Sequence, residues 1–387
     1  MDGLTQPDPA LLESVRTQLA HTGQDPDPAA ISAAVRAAGL VLDGPTLAQL
    51  VRGLRDEVAG LGILEPLVRD PEVTDVLVNG PNEVWVDRGR GLARAPVAFA
   101  GEAEVRQLAV RLAARAARRL DEATPYVDAR LPGGQRLHAV LPPLSVRGTS
   151  ISLRIPSRRR FTLADLEAAG TVDAPGAQVL GAVVASRAAF LVSGGTGSGK
   201  TSVLGAMLGE VPGDQRMVIV EDTCELDPGH PHVVSLESRA PNVEGAGEIP
   251  MRTLVRQALR MRPDRLVVGE VRGAEVGDLL AAMNTGHEGG CGTVHANSAG
   301  SVPDRLAALA LAAGMSLSGV HAQVVAGVDV VLHLARQPGG RRVLTEVGVL
   351  ADREARAVVV PALVRQGGRL RPRAGHDALR ERLGGVP

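Results

Sequence analysis

Aromatic side chains make up 1% of this 387-residue chain, which has three Phe, one Trp and one Tyr. Cores here must therefore be built from Leu, Val and Ala, and a nucleic-acid surface that works by stacking bases on aromatic rings is excluded. Cysteine is nearly absent too. Cys224 and Cys291 have no Cys-x-x-Cys neighbour, which excludes a disulfide framework and a cysteine zinc site and predicts two small buried residues. No excess of one charge exists, since 42 Lys+Arg face 43 Asp+Glu for a net charge of -1. Arginines cluster only locally, at 111–119 and 158–160, so no domain advertises a polyanionic partner and no nucleic acid is expected. Long apolar runs are missing as well. The most membrane-like stretch, 306–334, is interrupted by Gly314, Ser316, Ser318, His321, Gln323 and Asp329, too polar for a span of about 20 apolar residues. The first ten residues are polar and carry proline, without the cationic and apolar segments of a secretory signal, which predicts a cytoplasmic protein.

Lysine is the scarcest cation of all, because Lys200 is the only one in the chain. It stands in Ser193-Gly194-Gly195-Thr196-Gly197-Ser198-Gly199-Lys200-Thr201-Ser202, which fits the phosphate-loop template G-x-x-x-x-G-K-[ST] at each fixed position. Glycines let backbone amides converge on phosphate oxygens, and the following helix N-terminus favours negative charge. The lysine reaches the terminal phosphates and the Thr201 hydroxyl ligates Mg²⁺. A compact ammonium fits between phosphates where a planar guanidinium fork does not, which explains a lone lysine among arginines. The flanks agree: 188–192 reads as a buried strand and 202–208 as a helix.

Apolar residues fall at helical spacing from Leu11 to about Gly62, which predicts a small helical segment over 1–62. Beyond it the period changes to two. Val73 to Gly80 and Glu83 to Asp87 read as a hairpin, 102–120 as a helix, and Tyr126 to Leu131, Gln135 to Leu141 and Ser150 to Ile155 as further strands. These make an α+β domain over 63–155, followed by a linker at 156–162. From 163 to 387 strands and helices alternate, the mark of an α/β fold with a parallel sheet. Strands are expected at 217–221, 232–236, 265–268 and 291–295, and helices at 251–261, 275–284 and 303–313. The stretches 328–334, 343–350 and 358–363 read as added antiparallel strands.

Ligands of α/β sheets lie at the carboxyl ends of strands, so the polar residues there are the site candidates. Three ends qualify: Glu221-Asp222, Glu270-Val271-Arg272 and His295-Ala296-Asn297. Glu270 is the first candidate for orienting or deprotonating an attacking water, or for holding Mg²⁺ through its water shell. Gly269 stands where a Walker-B aspartate would be, so the metal's outer contacts must come from Glu221 or Asp222. His295, with Thr293, Asn297 and His287 nearby, is placed to sense the terminal phosphate.

The Walker A at 194–201, Ile219-Val220-Glu221-Asp222, 259–273 and 283–298 resemble the Walker A, Asp box, Walker B and His box of the type II/IV secretion ATPase superfamily. Asp128 to Pro132 and Ser150 to Arg154 look like the N-terminal domain of its CpaF-like branch, which serves Tad/Flp pili. The resemblance implies a RecA-like P-loop ATPase domain preceded by a small α+β domain and a helical segment. It implies further a homohexamer using ATP and Mg²⁺, peripheral at the inner face of the cell membrane, driving a membrane platform protein that adds pilins or exports substrate. No tetracysteine module follows the Walker B, unlike exporters of classical type II secretion, and no retraction-motor extension is recognisable. Arginines of the N-terminal domain would complete the site, with Arg130, Arg136, Arg147 and Arg154 as candidates beside Arg272. A strict hairpin about Gly133-Gly134 pairs Leu131 with Arg136 and sets Arg130 and Arg136 on opposite faces, favouring Arg136 and Arg154. A regulatory ATP switch, a phosphotransferase and a DNA-translocating motor are the rival readings.

Overall fold

A computed structural model describes residues 28–39, 60–89, 91–156, 160–239, 241, 245–286 and 288–385, with Ser14, Gln18 and positions 44, 45, 47, 48, 50, 51 and 54. His287, linker residues 157–159 and much of the expected helical segment lie outside the described residues. The chain divides into two compact units, Met1–Pro156 and Ser157–Pro387.

In the first unit, the helix Pro28–Ala37 buries Ile31, Ala34 and Val35 in a small cluster with Val51 and Leu54. After it come six strands: β1 (Asp75–Val78), β2 (Val84–Asp87), β3 (Leu92–Arg94), β4 (Tyr126–Arg130), β5 (Arg136–Val140) and β6 (Ser150–Arg154). They form one antiparallel sheet in the order β3-β2-β1-β6-β5-β4. Strict alternation puts Val76, Val84, Val86, Ile151, Leu153, Leu137 and Val127 on the buried face. They share a core with Val105, Leu108, Ala109 and Leu112 of the helix Glu102–Arg115. That helix is shorter than expected, because Ala117 adopts φ 53° and the Arg118 amide turns back to the Ala113 carbonyl.

The β4–β5 hairpin corrects the expected register. Arg130, not Leu131, pairs with Arg136, and Leu131 bonds Gln135. The reason is a three-residue loop: Gly134 donates to the Leu131 carbonyl and takes φ 87°, so one residue more is spent in the turn than a strict two-residue hairpin needs. Arg130 and Arg136 therefore share a face, and Arg154, paired with Arg136, joins them.

The second unit is built on a nine-stranded sheet. Its strands are β7 (Phe190–Gly194), β8 (Met217–Glu221), β9 (Val233–Glu237), β10 (Arg265–Val271), β11 (Cys291–Val294), β12 (Val330–Arg336), β13 (Arg342–Arg353), β14 (Arg356–Gln366) and β15 (Arg369–Pro372). The order is β15-β14-β13-β12-β7-β11-β10-β8-β9. Helices cover both faces, Ala174–Ala185 and Lys200–Leu208 on one, Met251–Ala258, Glu275–Asn284, Val302–Ala312 and Leu317–Gly327 on the other. Burial on both sides is why β7 and β8 read as unbroken apolar runs, not as alternation. β12 departs from expectation: it pairs parallel with β7, and only its other edge begins the antiparallel extension through β13, β14 and β15. Cys291 is buried as expected, whereas Cys224 is only half-buried. Among the described residues no helix is long and apolar enough to cross a membrane.

Candidate nucleotide-phosphate site

β7 delivers the phosphate loop to the helix Lys200–Leu208, with three glycines in the left-handed region: Gly194 (φ 150°), Gly197 (φ 70°) and Gly199 (φ 93°). Gly194 has no room for a side chain, since a Cβ there would run into the Leu334 carbonyl of β12 and come within 2.6 Å of Ser198 Oγ. The cradle fits a polyanion. Ser198 Oγ is buried without a hydrogen-bond partner, so the loop holds an unsatisfied polar atom of the kind a phosphate oxygen satisfies. Lys200 is buried at 7% exposure, its Nζ donating to the carbonyls of Gly194 (3.0 Å) and Gly195 (2.9 Å). Thr201 and Ser202 follow in the first helical turn, half-buried.

Glu270 and His295 converge on that lysine from the next two strands. His295 Nε2 stands 3.5 Å from Lys200 Nζ and 2.8 Å from Glu270 Oε1. Oε1 is buried and accepts no aligned hydrogen bond. Arg272 donates to the other oxygen, Oε2, at 2.6 Å. Burial by itself would raise the Glu270 carboxyl, but the Arg272 bond and charge, with His295 and Lys200, hold it below its usual range. His295 is lowered by burial and then by Lys200, so the imidazole is neutral near pH 7. Around Glu270 the pairing of β10 with β11 shifts register between Val268 and Val271, and Thr293 Oγ1 caps the Gly269 carbonyl at 2.6 Å.

Glu221 has a different environment from Glu270. Its carboxylate accepts from the backbone amides of Glu225 and Leu226 and is 4% exposed. Burial pushes its carboxyl up to about 7 against those bonds. It lies over Gly269, where a Cβ would collide with Glu221 Cγ and approach Oε1 to 2.9 Å. That packing explains why glycine occupies the position of a Walker-B aspartate. Asp222 is exposed and accepts from Ser238 Oγ at 3.1 Å. Glu275, buried, accepts from the amides of Arg272 and Gly273 and fixes the turn that aims Arg272. A cavity of about 390 Å³ opens beside Asp222, Arg239, Arg272 and Glu275, and no phosphate-loop residue lines it. No group of three or more His, Cys, Asp or Glu suited to a metal occurs among the described residues. Thr201 offers a half-buried hydroxyl in the first turn after the loop, the donor type that a Mg²⁺ bound with phosphate takes.

Sequence reasoning missed two contributors from the far side of β7. His333, within the apolar run of β12, meets Ser193 Oγ with Nδ1 at 2.9 Å, and Ser193 Oγ also bonds the Leu332 carbonyl at 3.2 Å. A histidine in Val330-Val331-Leu332-His333-Leu334 was the available signal. Arg342, at the start of β13, donates Nε to the Gly197 carbonyl at the loop's tip at 3.1 Å. In the first unit, Arg130, Arg136 and Arg154 form a row across β4, β5 and β6, with Arg136 paired bidentately to Asp128. Arg147 lies in the loop before the opposite end of β6, 80% exposed and 3.5 Å from Glu83.

The profile of the family described as "Type II/IV secretion system protein" matches residues 57–360. A putative conjugal transfer protein of Mycobacterium tuberculosis (strain ATCC 25618 / H37Rv), Rv3659c, is 53% identical over 347 residues, covering 88% of this chain and 98% of the relative. The conjugal transfer protein TrbB of Rhizobium radiobacter is 33% identical over 304 residues, covering 76% and 88%. Among solved structures, the Yersinia pseudotuberculosis ATPase DotB superposes with a TM-score of 0.54 at 17% identity, covering 78% of this chain and 80% of that one. That superposition speaks to the fold alone.

Proposed function

This chain belongs to the type II/IV secretion system protein family, and from that premise we propose that it hydrolyses ATP to drive secretion or pilus assembly. One observation carries the reading. Glu270 presents a buried oxygen without an aligned donor, Oε1, in the same constellation as His295 and the phosphate-loop lysine, while Arg272 fixes the other oxygen. A carboxylate held ionised and aimed in this way orients a water for attack on a terminal phosphate. Lys200 and the loop amides neutralise the phosphates, and neutral His295 donates to or senses the γ-phosphate. Mg²⁺, when bound, supplies further charge neutralisation there. Glu221, occupied by backbone amides, supports the β10 turn and stands behind Glu270 as a base, and Asp222 holds the metal's water shell.

The finer reading is a homohexamer of the CpaF-like, Tad/Flp branch, in the cytoplasm at the inner face of the membrane and working through a platform protein. The arginine row Arg130, Arg136 and Arg154 is its source of charge for the transferred phosphoryl group; Arg147, on other evidence of position, is the weakest candidate. A DNA-transfer setting is the second reading, favoured by the conjugal-transfer names of two relatives and opposed by the scarce aromatics and the balanced charge. The test is steady-state phosphate release by the purified chain with MgATP. Hydrolysis that disappears in Lys200→Ala supports the reading, and a wild-type chain that binds ATP without sustained turnover replaces it with the regulatory switch.

A further inference from the structure

We propose that Arg336 and Arg342 clamp the α-phosphate and nucleoside end of the bound nucleotide, a role that rests on the ATP reading above and names a part of the site no sequence motif contains. The two arginines close the β12–β13 hairpin as direct cross-strand partners. Like charges directly opposite one another destabilise a strand pair. Among the described residues neither guanidinium is matched by a carboxylate: the Arg336 side chain makes no hydrogen bond or ion pair, and that of Arg342 makes only the Nε bond to Gly197. Arg342 is half-buried against the loop and its terminal nitrogens remain available, while Arg336 is exposed.

Both side chains are at the phosphate loop. A Cβ on Gly199 would sit 3.1 Å from Arg342 Cδ, and one on Gly197 would sit 3.8 Å from Arg336 Nη1. Strand order then fixes which end of a nucleotide they meet. In the sequence β13-β12-β7-β11-β10, Glu270 and His295 come from the β10 and β11 side of the loop, and the arginines from the β12 and β13 side. A triphosphate whose terminal phosphate faces Glu270 and His295 runs along the loop toward β12, so its α-phosphate and nucleoside arrive at the arginine pair. An anion there relieves the repulsion between the two guanidiniums, which offer planar forks to phosphate oxygens and flat faces to a purine.

Arg336→Gln is the decisive variant, because the Arg336 side chain bonds no described residue and its loss leaves the loop's own hydrogen bonds intact. With the full-length chain, MgADP and MgATP titrations of this variant are expected to show Kd raised by about tenfold for both nucleotides, as loss of one charge-assisted contact gives. KM for ATP should rise in step with kcat unchanged, the signature of binding lost equally in ground and transition states. Inorganic pyrophosphate, which lacks the nucleoside end, should bind wild type and variant alike. Equal loss of pyrophosphate binding would overturn the clamp in favour of a general field effect, and MgADP binding equal to wild type would overturn it outright. Arg342→Gln should weaken both nucleotides at least as much, since it also frees the Gly197 carbonyl. A wild-type chain that binds no MgADP sinks the nucleotide reading itself, an outcome separate from either.

Discussion

At Gly269 a hydrogen atom stands where a side chain would meet Glu221, and the two residues divide one space between them. Gly269→Ala is therefore expected to destabilise the second unit by about 1–3 kcal/mol, the usual cost of overpacking. Urea unfolding checks this, and Glu221→Ala in the same chain should recover much of the loss, because the pair shares the volume. Additive losses would show that the clash is relieved elsewhere. Glu270 makes a different prediction. Glu270→Gln keeps the shape and the Arg272 neighbour but loses the charge, so it should bind MgATP and retain it with turnover reduced by about 10²-fold or more. Filter-retained ATP is the measurement. A variant that releases ATP at the wild-type rate without cleaving it would make Glu270 a binding group and turn attention to Glu221.

One scale up, β12 grips the root of the phosphate loop through Ser193–His333 and through Leu334 against Gly194. Burial, and then the Lys200 charge, lower the His333 pKa below its ordinary value. The folded state therefore binds fewer protons than the unfolded chain in the window below about pH 6.5, the unperturbed histidine value. Stability present above that pH is lost as pH falls toward the folded pKa. Denaturant midpoints of wild type should decline across this acid window more steeply than those of His333→Gln, which keeps a polar partner for Ser193 and cannot titrate. Identical slopes would place the titrating group elsewhere. The β4–β5 hairpin shows the same dependence of chemistry on an element: a single residue spent in the 132–134 loop moved Arg130 onto the face of Arg136 and Arg154.

For the molecule as a whole, the arginine row belongs to the first unit and the phosphate loop to the second. On the proposed ring reading, hydrolysis per chain should collapse on dilution to monomers, and a monomer that hydrolyses ATP at full rate would sink the ring mechanism. Arg136→Ala is expected to lower turnover by roughly 10³ to 10⁵, as for other arginines that stabilise a transferred phosphoryl group. Mixing it with inactive Lys200→Ala decides who supplies the arginine. Recovered activity means a neighbouring subunit does, since some interfaces then pair an intact arginine with an intact loop. No recovery, with subunit exchange shown by labelled chains, means each subunit serves itself.

The sequence by itself determined the features that local chemistry dictates. The template at 194–201 sets its glycines at fixed spacing, the chain's one lysine stands within it, and strands buried on both faces carry unbroken apolar runs. All of these are written in neighbouring residues. Tertiary structure decided what depends on register and on long-range pairing. It showed that Glu221 turns its carboxylate to backbone amides and occupies the place of a Gly269 side chain, that three of the four arginines line up while Arg147 stands apart, and that β12 joins β7 in parallel. Ser193 and His333 are 140 residues apart in the chain, and Gly197 and Arg342 145. Periodicity reports which face of an element is buried, but only the closing of the sheet determines which distant residue lies against it.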